Sequence, residues 1–121
     1  MGHRSVRVKR VYLSPADDDG TRILVDRIWP RGLTKEHAAV DVWLKDVAPS
    51  ASLRSWFGHD PAKWTEFRAR YAAELTANGS EVGRLRAMLA EGDATLLYAS
   101  KDETHNNAVV LLAFLKTGTK S

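Results

Sequence analysis

The 121-residue chain has no cysteine. No disulfide, thiolate nucleophile or cysteine-ligated zinc or iron–sulfur site can therefore form. A long apolar run is missing too: nothing approaches the roughly 20 residues of a membrane-spanning helix, and no membrane partner is expected. The opening Met1-Gly2-His3-Arg4 carries charge with no apolar segment behind it, so no signal peptide is expected and the location read from the sequence is cytoplasmic. The four histidines, His3, His37, His59 and His105, show no metal-ligand spacing such as H-E-x-x-H, and no metal site is expected from them. Met1-Gly2-His3 can chelate copper or nickel through the free amine, which at a chain terminus is incidental. Neither a nucleophile elbow nor a glycine-rich phosphate loop is present, and without a cofactor signature the cofactor stays unknown.

A large excess of one charge is also lacking. The 18 Lys and Arg are offset by 15 Asp and Glu, leaving a net charge of +3. Binding nucleic acid through its phosphates needs several cations on one face. The densest basic stretch is Arg4-Arg7-Lys9-Arg10, which with Arg68 and Arg70 keeps a nucleic-acid-binding or regulatory role as an alternative.

What is present is an ordinary globular composition, 44% hydrophobic and 27% charged. A single domain over residues 1–121 can bury roughly two-thirds of its unfolded surface. Val6, Val8 and Tyr12 frame a first strand, with Arg7 and Lys9 on a wet face. Asp17-Asp18-Asp19-Gly20 reads as a solvated turn, since it lacks the ligand spacing and distal glutamate of a calcium loop. Arg22 to Ile28 reads as a second strand, ended by Pro30 and Gly32. A short helix starts at Thr34, Val40 to Leu44 alternates like a brief strand or an extended loop, and Pro49-Ser50 opens a helix through Trp56. Asp60 and Pro61 mark the best-signposted helix start. Trp64, Phe67, Tyr71 and Leu75 then form one stripe, and Asn78-Gly79 ends it. From Ser80 a further helix buries Val82, Leu85, Met88 and Leu89.

Gly92-Asp93 turns the chain into a last strand, Ala94 to Ala99, whose continuous apolarity fits a central strand covered on both faces. The final helix is expected from Glu103 to Lys116. Its segment Ala108–Leu115 is apolar on every side, which means deep burial or a homo-oligomer. Trp43, Trp56 and Trp64 read as core anchors rather than stacking platforms. The sum is an α/β domain: a mixed sheet of three to four strands with helices packed on its faces.

Two segments concentrate side chains that a core has no use for: Asp26-Arg27-Ile28-Trp29-Pro30-Arg31-Gly32 and Ser100-Lys101-Asp102-Glu103-Thr104-His105-Asn106-Asn107. Each follows a strand. If those strands are parallel neighbours, both segments emerge at one edge of the sheet, where open α/β folds place their ligands.

These segments, with Trp43-Leu44-Lys45-Asp46-Val47-Ala48-Pro49-Ser50 and Leu53-Arg54-Ser55-Trp56-Phe57-Gly58-His59-Asp60-Pro61, resemble the YeaO-like family of bacterial proteins. The likeness runs through nearly the whole chain in the family's order. It implies an α/β fold and brings no established activity, although some members carry the label of transcriptional regulator.

From the residues themselves the expected function is binding of an anionic, nucleotide-like small molecule. Arg27 and Arg31 would neutralise the anion, Gly32 would allow close approach, and Lys101 and Asn106 would complete the pocket. Against this, Arg27 can equally pair with a carboxylate such as Asp26 or Asp102, and Asp102 can simply cap the last helix with Glu103 in its first turn. Asp102 and His105 lie three apart, so the carboxylate can orient the imidazole as an acid/base group. Whether the chain is an enzyme stays open. His59 either faces the site or makes a surface contact beside the helix start.

Overall fold

The computed structural model describes residues 5–117, so the readings placed on Met1-Gly2-His3-Arg4 lie outside it. Among the described residues four strands form one sheet: β1 (Val6–Arg10), β2 (Thr21–Leu24), β3 (Val42–Trp43) and β4 (Ala94–Tyr98). Their order is β1-β4-β2-β3. Every pairing is parallel, with Val6 and Thr21 both opposite Ala94, and Ile23 opposite Val42. The α/β class and the strand number are as expected. The sheet is uniform rather than mixed because each connection is a long crossover and none is a tight hairpin.

Five helices follow from local signals: α1 (Lys35–Ala38), α2 (Ala51–Phe57), α3 (Trp64–Ala77), α4 (Gly79–Leu89) and α5 (Asn107–Thr117). Thr34 accepts the His37 N–H at the start of α1, and Ser50 accepts that of Leu53 at the start of α2. Asp60 accepts from Ala62 N with Pro61 beside it, but the turn they start is 3-10, and α3 begins at Trp64.

α2 to α5 cover one face of the sheet, where Ile23, Val25, Leu96 and Tyr98 pack against Phe57, Phe67, Tyr71, Leu85 and Leu111. The other face carries a smaller core of Val11, Leu24, Leu97 and Ala38, backed by Trp29 and Leu33. All five residues of β4 are buried, as its apolar run requires; each large side chain removed from water there contributes about 1.5–3 kcal/mol. Tyr71 is buried with its hydroxyl donating to Val47 O at 2.7 Å, and burial pushes its pKa up.

α5 packs on α3, β1 and β4 and buries Ala108, Val110, Leu111 and Leu115, so most of its apolar excess is core. The tryptophans differ from the expectation. Trp43 is exposed, and Trp56 and Trp64 are half-buried at the margin of the larger core. Among the described residues no helix is long and apolar enough to cross a membrane.

The wet face of β1 and the solvated aspartate turn hold for the exposed Arg7, Asp17 and Asp18 and need correction at Lys9 and Asp19. Asp17–Asp19 forms a 3-10 turn folded back over that face, with Arg7 paired to Asp18 and Lys9 Nζ 3.1 Å from both Asp19 oxygens. Asp19 is only 2% exposed and Arg22 only 4%. The cause is Arg22, whose alternation in β2 points it into this layer, where it needs a counter-charge. Its guanidinium donates to Asp19 and to the carbonyls of Ala39 (2.9 Å) and Ala38 (2.7 Å). Gly20 completes the turn. Its φ is +66° and a Cβ there would lie 2.1 Å from Asp93 O, so no other residue fits.

Burial pushes Asp19 up, but the Ala16 N–H, the Lys9 ammonium and the Arg22 guanidinium outweigh it and hold the carboxyl below its ordinary 3.8. Asp19 therefore stays ionised to lower pH in the folded chain than in the unfolded one. Its contribution to stability is complete above about pH 5 and is lost as the pH falls through the folded-state value. Arg22→Ala removes the buried partner of this carboxylate, leaving it Lys9 and the Ala16 N–H, and should cost about 3–5 kcal/mol in urea unfolding at pH 7. Arg7→Ala, at an exposed pair, should cost less than about 1 kcal/mol. Equal losses in the two variants would refute the buried node.

Candidate functional site

β2 and β4 are neighbours, yet the chain leaves them in opposite directions. After β2 it passes to the smaller core through Trp29, Leu33 and α1; after β4 it returns to the larger core in α5. Two adjacent parallel strands whose exits diverge leave a crevice at their carboxyl ends. There a cleft of about 620 Å³ opens. Asp26–Arg31 forms one wall with Tyr12 against Arg31, residues 99–102 and 105–107 form the opposite wall, and Arg54, Phe57 and His59 from α2 and its end close a third side. The two charged segments thus converge.

Arg27 lines the cleft, but its guanidinium is engaged. It donates to Pro49 O (3.2 Å) and Ala48 O (3.3 Å) and lies 3.9 Å from the exposed Asp46, not against Asp26 or Asp102. Arg31 is exposed in the cleft wall; its backbone carbonyl accepts the Tyr12 hydroxyl at 2.8 Å. Gly32 does not line the cleft. Its φ of +82° lies in the region that favours glycine, and a Cβ there would meet no protein atom within 4 Å.

Lys101 is exposed on the opposite wall. Asn106 is buried, and both ends of its amide are used: Nδ2 donates to Asp102 O (2.9 Å) and Oδ1 accepts from Val109 N (3.1 Å). Asn106, rather than Asp102, therefore caps α5, which begins four residues after Glu103. The reason is local. Asp102 Oδ1 takes the N–H groups of Thr104 (3.0 Å) and His105 (2.9 Å), closing a tight loop ahead of the helix.

Those donors, His105 N–H first and Thr104 N–H next, hold the Asp102 carboxyl well below the usual carboxylate range. An ionised carboxylate only accepts, so the 2.9 Å contact from Asp102 Oδ2 to His105 Nδ1 fixes a proton on Nδ1. Nε2 is then the ring's lone-pair nitrogen, able to accept a proton or a hydrogen bond. The ring also meets Trp64 edge-on, 5.0 Å between centroids. The pair forms as its spacing predicts, in a loop rather than on a helix face.

Three lining residues carry more of the site than the sequence pointed to. Asp26 takes the Ala99 N–H on Oδ2 (2.9 Å) and Asn107 Nδ2 on Oδ1 (3.1 Å), and burial raises its pKa against both bonds. Arg54 projects from α2, one residue beyond the buried Leu53; its place in a family motif was the one available signal. His59 lines the cleft in a left-handed conformation (φ +58°), which costs a non-glycine residue about 1 kcal/mol. It follows Gly58 (φ +53°), so the two together bring the chain back toward the opening.

Over residues 5–121 the chain matches the model of a family described as the inactive DUF488-N3 subclade. It is 41% identical to the uncharacterised protein YeaO of Escherichia coli over 113 residues, 93% of this chain and 98% of YeaO. Uncharacterised proteins of Mycobacterium tuberculosis and Mycobacterium bovis are 42% identical over 110 residues, 91% of this chain and 92% of theirs. No solved structure matches it.

The Asp102–His105 contact makes a spectroscopic prediction. In Asp102→Asn the amide Oδ1 still serves the backbone donors, but Nδ2 donates to the ring, so the imidazole proton should move to Nε2. Long-range ¹H–¹⁵N spectra distinguish the two tautomers. An unchanged pattern would mean that Asp102 does not orient the ring.

Proposed function

The chain belongs to the YeaO-like family, in the inactive DUF488-N3 subclade, and for this member we propose binding of an anionic, nucleotide-like small molecule in the cleft at the carboxyl edge of the sheet. One observation carries the reading. Arg31, Arg54 and Lys101 come from three separate segments to one opening, and none makes an ion pair among the described residues. Cations gathered without ion-pair partners raise the local concentration of anions and bind them most strongly where walls exclude water. Beside them Ile28 (55% exposed) and Tyr12 (39% exposed) offer an apolar ledge suited to a flat ring.

Arg31, Arg54 and Lys101 hold the anionic group in this reading. Arg27 and Asn106 shape the walls through bonds to the chain itself, and Gly32 shapes the turn. His105 offers Nε2 to the ligand, and if the ligand is turned over, His105 oriented by Asp102 is the acid/base pair. The subclade's description as inactive favours binding over turnover.

A nucleic-acid face finds less support. Val6 and Val8 pack toward the larger core, so Arg7 and Lys9 point to the opposite side of the sheet from α3, which bears Arg68 and Arg70. Arg7, Lys9 and Arg70 are moreover paired with Asp18, Asp19 and Glu66. A homo-oligomer would use the margin of α5, where Leu112 is half-buried and Ala113 exposed.

A thermal-shift series with nucleoside phosphates and phosphosugars tests the reading. A ligand at a hundred times its Kd adds about 2.7 kcal/mol, which at this chain length raises Tm by on the order of 10 °C. The shift should vanish in Arg31→Ala while the ligand-free Tm stays within about 2 °C, since the side chain is exposed. A blank series would overturn the proposal, as would a shift that survives Arg31→Ala and Lys101→Ala together.

A further inference from the structure

The cleft is not uniformly cationic: two carboxylates line it, Asp26 and Asp102. Asp102 spends its oxygens on its own loop and on the His105 ring, which leaves Asp26 as the carboxylate with acceptor positions to offer. Two N–H donors lock that carboxylate in place, Ala99 N on one oxygen and Asn107 Nδ2 on the other. The same Asn107 amide also reaches Val25 O at 3.0 Å, so β2, the end of β4 and the start of α5 all fix its position. A carboxylate offers roughly four acceptor positions, and these bonds use two. Among the described residues no cation closes on it within ion-pair distance, although Arg54 and His59 are near enough to favour its charge.

A bare anion drawn to Arg31, Arg54 and Lys101 meets repulsion from this carboxylate. A ligand that carries its anionic group at one end and O–H donors at the other satisfies both. We infer that Asp26 is the specificity-determining acceptor of the cleft, taking the hydroxyls of a sugar whose phosphate lies among Arg31, Arg54 and Lys101, so that the ligand class is the ribonucleoside phosphates rather than simple anions or deoxygenated analogues. The inference rests on the anion-binding reading above and narrows it. A buried acceptor left without its donor is costly, and for that reason a site built around one rejects analogues that lack the hydroxyl.

The test is calorimetric titration of the full chain with three probes: inorganic pyrophosphate, the four common ribonucleoside 5′-monophosphates, and their 2′,3′-dideoxy counterparts. At least one ribonucleotide should bind roughly 10- to 100-fold more tightly than its dideoxy partner, the factor carried by a hydrogen bond to a charged acceptor. In Asp26→Asn that preference should fall below about threefold. The comparison within the unaltered chain stands even if the variant fails to fold, because it needs no substitution. Equal binding of both nucleotide series overturns the role of Asp26 and leaves the anion site standing. So does tighter binding of pyrophosphate than of any nucleotide. A preference that persists in a folded Asp26→Asn assigns the hydroxyls to another group. No binding by any of the three probes overturns both readings.

Discussion

β4 takes parallel partners on both sides over nearly its whole length, Val6–Arg10 on one flank and Thr21–Leu24 on the other. A strand in that position is covered on both faces, and all five residues of Ala94–Tyr98 are buried, the one hydroxyl among the aliphatic residues, that of Thr95, donating to Asp19 O. Its placement decides the rest. Because β4 separates β1 from β2, the chain must cross over between them, and the crossover carries the aspartate turn across the polar side of β1. Because β4 and β2 are neighbours whose exits run to opposite faces, a crevice opens between their ends. Asp26 then acts as the clamp on that edge, continuing the pairing of β2 with β4 past the last ladder residue through its bond to Ala99 N.

Charge is used in two physically different ways. On the far side of the sheet Asp19, Lys9 and Arg22 form a node whose groups satisfy one another, with Arg22 also bonded to the carbonyls of Ala38 and Ala39. Such a node costs desolvation and repays it only when its geometry is complete. It holds the aspartate turn, β1, β2 and the end of α1 in register and has little capacity left for a ligand. At the cleft the reverse holds: Arg31, Arg54 and Lys101 stay exposed. Keeping cations in water costs little stability, and it leaves them free to exchange that water for an anion.

Period and punctuation made most of the fold legible in the sequence. The alternation of Val6 and Val8, the unbroken run Thr95–Ala99 and the capping residues Thr34 and Ser50 each act over a few residues, and each placed its element within a residue or two, while Asp60 marked a 3-10 turn that precedes α3. The start of α5 was not legible, because two residues able to cap, Asp102 and Asn106, stand four apart, and only the fold decides that Asp102 closes its own loop. The buried role of Asp19 was hidden for a different reason. A run of three aspartates before glycine looks solvated until Arg22, three residues on, is seen to face the same layer. The tryptophans misled because their size promises burial, while Trp43 gives its indole N–H to Asp26 O at the sheet's end and so remains at the surface.

The candidate site was legible as two segments and not as individual roles. Both segments mix residues that hold the chain with residues that face outward, and composition does not separate them. Hydrogen-bond saturation does. Arg27, Asn106 and Asn107 spend their polar atoms on backbone carbonyls, a capping N–H or the Asp26 carboxylate, and are explained by the fold alone. Arg31 and Lys101 stand in the same two segments, yet nothing in the fold requires their charge. His105 and Asp26 fall between: each is fixed by bonds to its own chain and each retains a free position, a ring nitrogen in one and lone pairs in the other. Fixed geometry with unspent hydrogen-bonding capacity is what recognition demands, since an acceptor already oriented pays no ordering entropy when a ligand arrives. That physical distinction, rather than the density of charge in either segment, is what supports the proposal that the cleft is the working face of the molecule.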